Sequence, residues 1–186
     1  MTDRTKSPLA GLLLILALAL CATPALADER YTFTLGLLGG LGGSLDADPG
    51  DELSNVGYQA NVAFLTEPKT HLGLRLGRLD LEEADPFGSL TQADLTYATI
   101  SGEYRFAQSF YESGIFVGLG GYQLEGLPLA GGQRDSETTY GVTLGLTGEF
   151  ELTPHLGALI EVSGHWADFD EAQVFLFGHV GLAVHF

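Results

Sequence analysis

Three side chains suited to acyl transfer stand at alternate positions of one segment: Glu161, Ser163 and His165. A hydroxyl, an imidazole and a carboxylate can act as nucleophile, base and orienting acid. Glu149 and Glu151 lie in the segment before them. His71, His165, His179 and His185 offer nitrogen donors for a metal. Arg75 and Arg105 offer charge partners to Glu103, Glu149 and Glu161. Spacing decides among these chemistries. The histidines fall in three separate segments without the close pairing of a metal site, so no metal or cofactor is expected. The acidic group Asp46, Asp48, Asp51 and Glu52 lacks the full calcium-loop pattern. What remains is a set of opposite charges that can pair: Arg75, Glu103, Arg105, Glu149 and Glu161.

The elements that carry these residues alternate with period two, the signature of strands. Between Tyr140 and Leu152, Tyr140, Val142, Leu144, Leu146, Phe150 and Leu152 share one face. Gly141, Thr143, Gly145, Thr147, Glu149 and Glu151 share the other. The same pattern predicts strands over about Tyr31–Gly43, Val56–Thr66, His71–Leu81, Asp94–Phe106, Phe110–Leu124, Tyr140–Leu152, Leu156–Ala167 and Val174–Phe186. Short connections follow the second, fourth and sixth. Longer ones follow the first, third and fifth, and one of intermediate length follows the seventh. Pro49, Pro68, Pro86, Pro128 and Pro154 all fall in the connections, as the missing amide hydrogen of proline requires.

Residues 1–27 read as an export signal. Arg4 and Lys6 precede the apolar run Leu9–Ala22, and Ala25-Leu26-Ala27 is a cleavage site. Leu20 before Cys21 argues against lipidation. Cleavage after Ala27 leaves a mature chain from Asp28 without cysteine, hence without thiol or disulfide chemistry. The 186 residues suit one domain, and a net charge of -16 excludes binding to nucleic-acid phosphates. At 45% hydrophobic and 17% charged, the chain is too apolar for disorder.

Eight strands of this length, with short turns at one end and long loops at the other, suit a membrane-crossing barrel. In such a barrel the apolar face meets lipid and the polar face meets the lumen. Phe64, Tyr104, Phe106, Phe110, Tyr111, Phe150 and Phe186 form an expected aromatic belt at the short-turn end. Tyr58, Tyr97, Tyr122, Tyr140 and Trp166 form one at the loop end. Arg75, Glu103, Arg105, Glu112, Glu149, Glu161, His165, His179 and His185 all fall on the inner side. Gly36, Gly57, Gly73, Gly114, Gly118, Gly141, Gly145 and Gly181 join them and make room for long side chains. Tyr97, Tyr122, Leu79 and Leu81 break the lipid-facing parity, and a bulge near the loop end is the expected reason.

The chain resembles the small eight-stranded outer-membrane barrels, the OmpA/OmpX/OmpW-like group. Gly145 through Glu161 looks like that group's strand–turn–strand, and Tyr104-Arg105-Phe106 with Gly114 through Tyr122 looks like its preceding hairpin. The last residues, from His179 to Phe186, are similar to its C-terminal assembly signal, carried by Gly181, Val184 and Phe186. The resemblance implies an all-β, eight-stranded antiparallel transmembrane up-and-down β-barrel in the cell outer membrane. It also implies both termini in the periplasm, contact with outer-membrane lipid and lipopolysaccharide, and delivery by the barrel-assembly machinery. A monomer is expected. With Phe186 the last residue, a two-domain tether with a peptidoglycan-binding domain is not.

The group includes tethers, adhesins, narrow channels and lipid-modifying enzymes, so the resemblance fixes architecture more than activity. Ser163 and His165 point into the lumen, away from lipid substrates, and lack the His-x-Ser order of the lipid A deacylases. The expected role is therefore structural or surface-interacting. The charged residues seal the lumen, and the acidic loops (Asp46 to Glu52, Glu82 to Asp85, Asp135 and Glu137, Asp168 to Glu171) face outward. A narrow channel for small solutes is the alternative, and a lipid-modifying enzyme comes third.

Overall fold

The computed structural model describes residues 32–45, 55–81, 90–107, 111–128, 135–169 and 174–186. The expected signal segment lies outside them, as do Phe110, Pro49, Pro86 and most of the acidic loop residues. Eight strands follow one another: β1 (Phe33–Ser44), β2 (Asn55–Glu67), β3 (Thr70–Leu81), β4 (Leu90–Ala107), β5 (Tyr111–Pro128), β6 (Asp135–Thr153), β7 (Leu156–Ala167) and β8 (Val174–His185). Each pairs antiparallel with its sequence neighbours, and β1 pairs with β8 to close the barrel. Closure removes the sheet edges that would otherwise expose unpaired amides to hydrocarbon. Thr32 N–H donates to the Phe186 carbonyl at 3.0 Å, so both ends of the described chain sit beside the short turns.

The β2–β3 turn is Pro68-Lys69. Lys69 adopts a left-handed φ of 83°, the geometry of a type II turn with proline leading. Thr66 Oγ1 ties it shut by donating to the Thr70 carbonyl at 3.0 Å. The outer wall between the two ends is apolar. Leu72, Leu74 and Leu76 on β3, Ile115, Val117 and Leu119 on β5, and Leu144 and Leu146 on β6 are all exposed. Leu119 presents 67% of its surface. No aqueous exterior favours a continuous leucine and valine wall of this kind, whereas hydrocarbon does.

Three of the strands are longer than expected. β4, β5 and β6 run 18, 18 and 19 residues. Their neighbours β3 and β7 have 12 each. At the loop end β6 runs six residues past its last β7 pair and β4 three past its last β3 pair, about 20 and 10 Å along the strands. Asp135 and Glu137, expected in a loop, belong to β6. Pro128, also expected in a connection, is the last residue of β5 opposite Leu90, an end position where a missing amide hydrogen costs little.

The expected bulge at Tyr97, Tyr122, Leu79 and Leu81 is not what the strands do. β3 and β4 keep continuous register from Thr70↔Tyr104 to Leu81↔Ala93, and Tyr97 faces Tyr122 directly across β4 and β5. The β4–β5 shift lies further out, between Thr91 and Asp94. All four residues simply point inward, and Tyr97 is 2% exposed. Tyr97 and Tyr122 therefore do not belong to the loop-end aromatic belt. Tyr58, Tyr140 and Trp166 remain exposed there.

Candidate functional site

The inward-facing side chains fill the barrel in two storeys of opposite character. The storey nearer the short turns is charged. Arg75 on β3 donates from Nε to Glu161 Oε2 at 3.0 Å and from Nη2 to Glu103 Oε2 at 3.0 Å. It also bonds Ser101 Oγ. Its guanidinium lies 3.6 Å from the Phe116 ring centre, so a cation–π contact covers one of its flat faces. Arg105 on β4 donates to Glu103 Oε1 at 2.7 Å and to Glu149 Oε2 at 3.1 Å, with Glu112 at 3.5 Å. The five charged residues singled out from the sequence are thus brought into one connected network.

Neutral groups complete it. Gln59 donates to Glu161 Oε1 at 3.0 Å and accepts from the Tyr97 hydroxyl at 2.7 Å. Thr147 donates to Glu103 Oε1 at 2.9 Å. His185 bonds Glu149 through Nε2 and meets Thr34 Oγ1 through Nδ1 at 3.0 Å. A ring proton on Nε2 satisfies both contacts. Gln59, Thr147 and Thr34 were missed in the sequence because a neutral polar residue on an inner face carries no distinguishing mark there.

Glycines provide the space. A Cβ at Gly73 would touch Arg75, and one at Gly114 or Gly157 would overlap Glu103 or Glu149. At Gly145 and Gly77 the space belongs instead to the rings of Phe116 and Tyr97.

The storey at the loop end is apolar. Leu79, Leu81, Ala93, Leu95, Tyr97, Tyr122, Leu124, Ala167, Phe169, Phe175 and Phe177 form one buried cluster inside the barrel mouth. This inverts the usual rule that lipid faces are apolar and lumens polar. At this height the barrel has apolar side chains on both faces, as a soluble β-barrel core would. Phe177 packs between His165 and Tyr97 at ring distances of 4.7 and 5.4 Å and stacks on His179 at 5.5 Å.

Ser163 and His165 lie inside this region, 1% exposed each. Ser163 Oγ is 3.1 Å from His165 Nε2, and the Tyr122 hydroxyl is 3.0 Å from Nδ1. A phenol donating to Nδ1 leaves the ring proton on Nε2, facing Ser163, whereas the opposite tautomer leaves Nε2 to accept from Ser163; the distances fit both. No carboxylate contacts this imidazole among the described hydrogen bonds. Glu161 belongs to the charged storey and Glu151 is exposed near the β6–β7 turn. Among the described residues, no three of His, Cys, Asp and Glu converge as metal ligands. His71 is on β3, while His165 and His179, on the paired strands β7 and β8, both pack against the Phe177 ring.

The C-terminal strand has its own geometry. Phe186 packs against Phe33 at a ring distance of 5.6 Å, and Phe33 against Phe64 at 5.1 Å, both tilted, on the outer wall beside the short turns. Val184 faces outward opposite Leu35. Gly181 points inward opposite Leu38, where the closing strands approach so closely that a Cβ would collide with the Leu37 carbonyl oxygen and Leu38 Cα. Gly181→Val is therefore expected to prevent closure of the β1–β8 seam. Loss of the compact, heat-sensitive band on unboiled gels would register it. A variant that still shows that band would mean the seam has room to move apart.

No protein-family model and no curated protein sequence matches the chain. Solved structures do. Neisserial surface protein A aligns at 13% identity with a TM-score of 0.66, over 85% of this chain and 100% of that one. A major outer-membrane protein of Thermus thermophilus aligns at 11% identity and 0.61, again over 85% and 100%. Ail, the attachment invasion locus protein of Yersinia pestis, aligns at 12% and 0.53, over 83% and 96%. Identities this low speak to architecture. Together with the closed antiparallel eight-strand topology and the apolar outer wall, they give this chain the fold of the small outer-membrane β-barrels.

Proposed function

We propose that the protein is an integral outer-membrane barrel with a structural and surface-interacting role, and that it is neither a channel nor an enzyme. The observation that carries this reading is the filled lumen: a charged storey and an apolar storey in series, with Glu161, Leu79, Leu81 and Phe175 each at 0% exposure. An ion crossing it would have to displace paired charges and then enter a dry aromatic layer, each a barrier of several kcal/mol. The Ser163–His165 contact does not favour catalysis, since no carboxylate orients the imidazole among the described hydrogen bonds and both side chains are buried inside the lumen, away from lipid.

In this reading the short turns and both termini face the periplasm, and the β4–β5–β6 extension stands outside the cell. Outer-membrane lipid and lipopolysaccharide surround the leucine wall, the assembly machinery inserts the chain, and it works as a monomer. Two of the similar structures belong to proteins named for the surface and for attachment. The test combines fractionation, unboiled gels and planar bilayers. The protein is expected in the outer-membrane fraction, migrating as a compact band, with no steady conductance. Discrete single-channel steps from the folded protein would replace this reading with the channel.

A further inference from the structure

We propose that the outer wall at the loop end of β2 to β5 binds the headgroup of a membrane lipid whose phosphate carries a primary ammonium on a short spacer. This deepens the reading that lipid surrounds the leucine wall. The wall changes chemistry there in two steps. Tyr58, Arg78 and Thr96 stand side by side on β2, β3 and β4, through the pairs Tyr58↔Arg78 and Arg78↔Thr96. All three lie on the outer face, and the exposed Tyr58 belongs to the loop-end aromatic belt, the level of lipid headgroups. Two residues further along the strands come Asp80, Asp94 and Glu125, through the pairs Asp80↔Asp94 and Asp94↔Glu125. The inner row donates hydrogen bonds, and the outer row accepts them.

Arg78 is held in a fixed orientation. Its Nε donates to Asp80 Oδ1 at 2.9 Å and its Nη2 to Asp94 Oδ2 at 3.0 Å, which sets the plane of the guanidinium. Nη1 takes part in neither bond, and the side chain is 42% exposed. One phosphate can therefore meet Nη1 together with the hydroxyls of Tyr58 and Thr96. Charge then selects the lipid. One arginine against three carboxylates leaves the patch at -2, which repels a headgroup that brings phosphate alone. An ammonium set about 7 Å further out, the rise of two strand residues, meets the carboxylate row instead. A zwitterion with phosphate inward and ammonium outward satisfies both rows. The wall below has a bed for its chain. Ala98 and Gly121 pair directly beneath Thr96 and Gln123, and a Cβ at Gly121 would find its nearest neighbour, the Thr139 carbonyl oxygen, 4.0 Å away. The exposed Leu76 and Tyr140 flank this trough on β3 and β6. On the β7–β8–β1 side the wall stays apolar to the loop end, with Trp166 and Leu45 exposed.

Native mass spectrometry of the full chain, folded in detergent micelles with a chelator, reads the lipid retained. The probes are phosphatidylethanolamine, phosphatidylglycerol, which lacks the ammonium, and phosphatidylcholine, whose ammonium has no hydrogen to donate. Phosphatidylethanolamine is expected to be retained at least about tenfold over phosphatidylglycerol and several-fold over phosphatidylcholine. Arg78→Leu is expected to lower that retention about tenfold while the unboiled gel band stays as it was. Asp80→Asn with Glu125→Gln is expected to invert the preference, with phosphatidylglycerol gaining as phosphatidylethanolamine falls, a result that a merely structural lesion does not give. Soluble phosphoethanolamine at equal concentration is expected to leave the lipid in place, because it has no chain for the trough. Equal retention of the three lipids would overturn the proposal, as would retention that neither variant changes. A preference for phosphatidylglycerol that appears once magnesium replaces the chelator would make the carboxylates cation ligands and overturn it too. So would displacement by the soluble headgroup. Micelles impose no compartment or orientation. Fractionation away from the outer membrane would therefore sink the proposed function while the lipid ratios stood, and equal retention would remove this site and leave the sealed barrel.

Discussion

Replacing Arg75 with leucine is expected to cost about 3–5 kcal/mol of folding stability, measured by urea unfolding in lipid vesicles. Arg75 holds two carboxylates, Glu161 and Glu103, on separate strands. Glu103 keeps Arg105 at 2.7 Å when Arg75 goes. Among the described hydrogen bonds, Glu161 keeps the amide of Gln59 alone. The penalty therefore falls on Glu161, left as a fully buried carboxylate without a cation. This makes a second expectation specific: Arg75→Leu combined with Glu161→Leu recovers most of the loss, to within about 1–2 kcal/mol of the native chain, because the stranded charge is gone. The control is Arg78, an arginine on the same strand with ion pairs of similar length to Asp80 and Asp94. Its side chain is 42% exposed on the outer rim. Arg78→Leu is expected to cost under about 1 kcal/mol. Equal losses at Arg75 and Arg78 would mean that water already screens the lumen.

The contrast between those two arginines was legible in the sequence, because period two puts residues 75 and 78 on opposite faces. So were all eight strands within the membrane and the inward placement of the whole charged set. The outer ends of β4, β5 and β6 were not. Thr91 and Gln123 on β4 and β5, and Ser136 to Thr139 on β6, lie past the exposed Tyr140, where no apolar outer face continues the alternation and ladder pairing holds the strands. Tyr97, Tyr122, Leu79 and Leu81 differ from these in kind. Their parity is regular: Leu79 and Leu81 follow Arg75 in steps of two. A bulge is needed only if the lumen is polar at every height, and it is not. Phe175 and Phe177 share the parity of His179 and could have signalled the apolar storey. Which carboxylate meets which arginine was beyond sequence reading, since strand stagger sets the heights of β3, β4, β6 and β7 around the barrel.

That apolar storey makes a prediction with an internal control. Phe177→Ala is expected to destabilise the barrel by about 3–5 kcal/mol, the loss typical of truncating a packed aromatic. Its ring touches Tyr97, His165 and His179, and nothing can move in to replace it, because the lumen is closed above by Phe175 and below by the charged network. Leu119→Ala removes a comparable apolar group from the opposite face, where the side chain is 67% exposed on the outer wall. Lipid tails flow into that gap and are as apolar as leucine. The cost there is expected to stay within about 1–2 kcal/mol, since little more than dispersion contact changes. The same urea titration in vesicles reads both. If Leu119→Ala were the more damaging, its face would be the packed core, and the leucine wall could not be the surface that meets hydrocarbon. If both were mild, the mouth of the barrel would hold solvent rather than a dry aromatic layer, and the lumen would not be sealed.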